Sequence, residues 1–170
     1  RQNLIVVGSI VCAVLAGATA MTVTGRGPAP GAEASPGHGK ITTLEAVGDS
    51  AKLDTSAPIT EVKVQLKWEA AVDLDLSAYY TTKAGESGAV DYSNRSGPHM
   101  QLDTDAGIGD LGGRNEENIA ITSLGDYREI WFATKIFSKG GSYNDYDGHV
   151  AVQTNNGDTI QVPLTSTEDK

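Results

Sequence analysis

The run Asp73-Leu74-Asp75-Leu76-Ser77-Ala78 sets two carboxylates two residues apart. In an extended strand successive side chains alternate faces, so Asp73 and Asp75 share one side and Leu74 and Leu76 point the other way, into a core. Two carboxylates that close repel unless something cationic lies between them. A hard divalent ion held by oxygens, calcium above all, is the simplest neutraliser. A later stretch offers the same donors: Asp103, Asp105, Asp110, Asn115, Glu116 and Glu117 stand among Gly107, Gly109, Gly112 and Gly113. Glycines of that kind permit the tight wrapping a small ion requires. The competing reading is a solvated acidic face, because 22 Asp and Glu against 13 Lys and Arg give a net charge of −9.

Other chemistries fit less well. Glycoside hydrolysis needs its two carboxylates across a cleft, which a pair on one strand face does not supply. His99 and His149 lack a nucleophile-elbow motif that would make them part of a hydrolytic set. The sequence therefore reads as a non-enzyme. The acidic balance, without Lys and Arg clusters, excludes a nucleic-acid partner. Cys12 is the sole cysteine, so no intramolecular disulfide is available.

The motifs also carry a resemblance. Leu66-x-Trp68, the run from Asp73 to Ala78, Asp91-Tyr92-Ser93, His99, Gly107-Ile108-Gly109-Asp110, Glu116-Glu117-x-Ile119 and Ile130-Trp131-Phe132 follow one another in the order of the TerD family. That family comprises tellurite-resistance and stress-associated domains, and residues 60 to 162 resemble it. The resemblance implies a calcium-binding β-sandwich whose ligands come from the Asp-Leu-Asp segment and the glycine- and aspartate-rich loop. Carried onto this chain, it points to Asp73, Asp75, Asp103, Asp110, Glu116 and Glu117 as metal ligands. Where the family usually reads glycine-aspartate-glycine-aspartate-aspartate-glutamate, this chain has Asp110-Leu111-Gly112-Gly113-Arg114-Asn115-Glu116-Glu117. Fewer carboxylates and an inserted Arg114 leave less to hold one of the family's usual ions.

Strands must position these groups. Val62, Val64, Leu66 and Trp68 alternate with Lys63, Gln65, Lys67 and Glu69, the mark of a half-buried strand. Val72 to Thr82 continues likewise, and further strands are expected at 89–93, 117–122, 129–137, 149–154 and 159–164. Turn residues separate them, with Asn155-Asn156-Gly157-Asp158 a strong hairpin signal. Short strands with frequent turns predict an all-β sandwich over residues 59–166.

Upstream, residues 1–24 read as a single N-terminal apolar α-helix. No charge occurs from Gln2 to Gly25, and the run from Leu4 to Val23 is long enough as a helix to cross a bilayer. Three accounts stay open: the core of a pilus-like filament, a lone membrane anchor, and a secretory signal ending at Ala18-Thr19-Ala20. Small residues spaced four apart, Gly8 with Cys12, Ala13 with Gly17 and Ala16 with Ala20, would let such helices approach closely. Residues 25–58, with Pro28, Pro30, Pro36 and Pro58, read as a linker that cannot continue a helix. Ile41 to Val47 is expected as an edge strand or a short helix.

The functional expectation is a calcium-binding TerD-like sandwich displayed on a hydrophobic helix. Its partner would be further copies of itself, packed through that helix into a filament at the cell surface. The alternative is a stress-response or binding module tethered to the membrane by a single span.

Overall fold

The alternation read between Glu61 and Glu69 holds in three dimensions: in the computed structural model, Val62, Val64, Leu66 and Trp68 are all buried. The described residues are 5–8, 11–15, 39–46, 49–104, 115–137 and 141–165. They form thirteen strands: β1 (Ile5–Gly8), β2 (Val11–Leu15), β3 (Ile41–Thr43), β4 (Ser50–Ala51), β5 (Val62–Trp68), β6 (Leu74–Thr82), β7 (Ser87–Val90), β8 (Ser96–Gly97), β9 (Met100–Thr104), β10 (Asn115–Ile121), β11 (Tyr127–Ile136), β12 (His149–Thr154) and β13 (Thr159–Pro163). One sheet has the order β4-β1-β2-β11-β6-β7 and the other β3-β13-β12-β5-β10-β9-β8.

Period-two patterning builds one core shared by both sheets. Leu74, Leu76 and Ala78 of β6 and Ile130 and Phe132 of β11 contribute from the first sheet. Val62, Val64 and Leu66 of β5, Ile119 and Ile121 of β10 and Val150 and Val152 of β12 contribute from the second. Two hairpins are present, the first of them at the turn expected from the sequence. β12 and β13 pair antiparallel across the Asn155–Asp158 turn, where Gly157 takes φ +89°, a conformation open to glycine at little cost. β6 and β7 close over Gly85, at φ +93°.

The described parts of the apolar N-terminal run, 5–8 and 11–15, are strand rather than helix, which corrects the expectation of a single helix over residues 1–24. β1 and β2 pair antiparallel with each other, β2 pairs with β11, and β1 pairs with β4. The only helical pieces among the described residues are two 3-10 turns of three residues, Leu124–Asp126 and Tyr143–Asp145. Among the described residues no helix is long and apolar enough to cross a membrane. The physical reason lies in the residue types. A mostly apolar run has little period by which to choose between helix and strand, and Ile5, Val6, Val7, Val11 and Val14 are β-branched, which favours the strand. The edge of β11 then supplies a hydrogen-bonding partner. Gly8 stands in β1 and Cys12 and Ala13 in β2, so the four-residue spacing no longer defines a helix-packing face; Ala16, Gly17 and Ala20 lie outside the described residues. Among the described residues the helix expected to form a filament core or a membrane anchor is absent.

The stretch expected to be linker is partly folded. β3 runs parallel to β13 at the sheet edge, and Leu44 and Leu53 are buried in the core.

Candidate metal centre

Three carboxylates from two parts of the chain lie close together. Asp73, Asp75 and Glu117 each bring an oxygen to within 4.8 Å of the others. All are buried, Asp73 and Asp75 at 8 % exposure and Glu117 at 1 %. Each takes part in further contacts within the protein.

Strand parity sets Asp73 and Asp75 together, on the side opposite Leu74 and Leu76, but does not by itself bring Glu117 to them. Leu74 and Leu76 are fully buried in the core, with Asp75 between them on β6 and Asp73 immediately before the strand. Asp75 lies opposite Lys135 on β11, while the carbonyl of Asp73 accepts the N–H of Phe137 at 2.8 Å. β7 pairs with β6 only from Ala78 to Thr81. The edge of β6 before Ala78 is thus left by β7, and Glu117 comes to it from the opposite sheet. Glu117 shares the core-facing parity of Ile119 and Ile121 on β10. Its Oε2 accepts the backbone N–H of Leu76 at 2.5 Å, a charge-assisted bond that ties the two sheets together.

The turn leading into Asp73 is fastened from three sides. Trp68 donates its indole N–H to the carbonyl of Val72 at 2.8 Å. Asn115 donates its amide to the carbonyl of Ala70 at 2.8 Å, and the N–H of Glu69 reaches the carbonyl of Tyr146 at 3.1 Å. Groups held in this way keep the carboxylates in place without relying on a ligand. Tyr143 completes the surroundings. Burial pushes its phenol above the ordinary 10.0, and the charge of Asp75 acts in the same direction.

The six candidate ligands therefore separate. Asp73, Asp75 and Glu117 come together. Glu116, adjacent to Glu117 on a strand, faces the other way: its carboxylate lies 3.9 Å from the Lys67 ammonium and accepts the Asn118 amide at 3.1 Å. Asp103 is exposed on β9, where Met100 and Leu102 take the buried positions. Asp110, like Asp105, lies outside the described residues. Asn115 donates its side-chain N–H to the carbonyl of Ala70 and is not one of the three clustered carboxylates. The sequence read Trp68 as an inward residue and Asn115 as an oxygen donor; here both fasten the turn before Asp73, through contacts across the fold that no spacing specifies. His99 is an exposed turn residue with φ 53°, 3.5 Å from Asp126, and His149 is half-buried on β12.

An all-carboxylate set suits a hard cation. With neither His nor Cys in the cluster, zinc and the softer metals are poorly matched. Three carboxylates provide part of the six to eight oxygens calcium takes, the rest being ordinarily backbone carbonyls and water. Compared with known proteins, the chain matches no family model, no curated protein and no solved structure.

Proposed function

We propose that this protein is a calcium-binding, TerD-like β-sandwich module in which Asp73, Asp75 and Glu117 hold the ion. One observation carries the reading: three buried carboxylates, on β6, just before it and on β10 of the other sheet, have oxygens within 4.8 Å of one another. Bound there, the ion would join β6 to β10 and reinforce the contact between sheets that Glu117 makes through Leu76. Its role is binding and stabilisation rather than catalysis. The order of motifs from Leu66 to Phe132 is what supports the TerD-like part of the reading. Calcium is favoured over magnesium because magnesium demands near-ideal octahedral geometry and dehydrates reluctantly.

The test is calorimetric titration of chelator-stripped protein with calcium and, separately, with magnesium. Saturable heat with calcium, weaker with magnesium and lost in Asp75→Asn, is the expected result. Absence of saturable heat with either ion would remove the metal from the account.

A further inference from the structure

The N-terminal hairpin enters its sheet in an unusual way. β2 occupies the flank of β11 opposite β6, through five residue pairs from Glu129↔Leu15 to Ala133↔Val11. On the far side, β1 meets only the two residues of β4. The later part of the chain thus frames a slot, bounded by β11 and β4, that the first strands fill. Between Leu15 and Ile41 run 25 residues, and Ile41 begins a strand of the other sheet. A stretch of that length can span at most about 80–90 Å when extended, well beyond the width of one small domain.

We propose that β1 and β2 form an exchangeable unit, and that the slot between β11 and β4 accepts the hairpin of a second copy of this chain. The bonds that hold β2 to β11 are a backbone ladder, and a ladder is the same whichever copy supplies the strand. Exchange therefore costs no native contact and is governed by concentration. Without β2, β11 presents an open edge from Glu129 to Ala133, and the apolar strands β1 and β2 lose their place in a sheet. Both needs are met by a neighbour's hairpin as well as by the chain's own. Because the donor hairpin and the acceptor slot are different surfaces, the contact is head-to-tail, and repeated exchange gives an open chain of subunits unless the geometry closes a ring. This is self-association through strands and does not depend on cation binding.

The test uses the register. In a Cys12→Ser background, Val11→Cys and Ala133→Cys are made in separate copies; these positions are direct partners across β2 and β11. Equal amounts are unfolded together, refolded, oxidised and run on a non-reducing gel, with mass spectrometry to identify the bridge. A short tether competes at an effective concentration on the order of 1 mM. The mixed dimer, bridged from position 11 of one copy to position 133 of the other, should therefore rise from about half a per cent of chains at ~10 μM to about a quarter at ~1 mM, since half of the exchanges pair like copies. A Thr122→Cys variant in place of Ala133→Cys controls for random oxidation. The double variant Val11→Cys/Ala133→Cys should close on itself when dilute and form a ladder of multimers when concentrated. Only monomeric closure at every concentration, with no mixed dimer, would overturn the proposal. Failure of the double variant to crosslink at all would overturn it too, because β2 would then not lie on β11.

Discussion

Neutralising Asp75 should abolish a calcium-dependent rise in melting temperature that neutralising Glu116 leaves intact. A ligand that binds only the folded form stabilises it by about 2.7 kcal/mol at 100 times its dissociation constant. For a chain of this size about 3 °C accompanies each kcal/mol, so the native protein should melt about 8 °C higher in calcium than in chelator. Removing one charge from a buried, close contact costs about 2–5 kcal/mol, and a loss near 2.7 kcal/mol weakens binding about 100-fold. At the same calcium concentration Asp75→Asn would then keep only about 0.4 kcal/mol, or about 1 °C. Glu117→Gln should behave likewise. In chelator it should lose only about 1 kcal/mol, because its amide oxygen still accepts from Leu76. Glu116→Gln and Asp103→Asn are the controls: one is engaged with Lys67 and Asn118, the other is exposed, and both should retain the full shift. Differential scanning calorimetry in chelator and in calcium, repeated at about 0.5 M NaCl, reads the outcome. Salt screens exposed charges far more than buried ones, so the shift should survive it. Equal losses in all four variants, or a shift that vanishes with salt, would refute a buried three-carboxylate site and favour diffuse attraction to the acidic surface.

Three further predictions are independent of the ion. The Tyr127 hydroxyl is buried without a hydrogen-bond partner among the described residues, and burial, with Tyr80 and Asp126 nearby, pushes its phenol up to about 12. Tyr127→Phe should raise urea stability by about 1 kcal/mol; it should also remove a loss of stability that in the native protein sets in as pH rises above about 10 and is complete past about 12, since the raised folded value favours the protonated form. Burial, aided by the charge of Lys67, holds His149 below its ordinary 6.5. The unfolded chain then binds its proton more readily, so stability in chelator should fall as pH drops below about 6.5, and a urea midpoint that declines as steeply in His149→Gln would contradict the assignment. At Gly39 an added Cβ would run into the carbonyl of Gly157, beside Lys40 bonds to Asp158 and Thr159, whereas Gly125 faces open space. Gly39→Ala should therefore cost about 1–3 kcal/mol and Gly125→Ala little, by urea denaturation.

Strands with one clear apolar face were legible from residue types alone. The alternation at Val62 to Trp68 named the inward residues, and the turn at Asn155 to Asp158 named the β12–β13 hairpin. Asp73 and Asp75 were legible as a pair for the same reason, since period two puts them on one side of their strand. The N-terminal run was not, because a mostly apolar series with few polar residues carries little period. Its state was decided by what lay beside it, the unpaired flank of β11.

By itself, the order of residues determined the β-rich patterning, the acidic surplus and a pool of carboxylates suited to a hard ion. Only the tertiary structure decided which of them meet. Glu116 and Glu117 are neighbours in the chain, yet a strand sends adjacent side chains to opposite faces, so one joins Lys67 outside while the other crosses the core to Leu76. Which face is inward depends on the sheet packed against it, and that contact is made by residues about forty positions away.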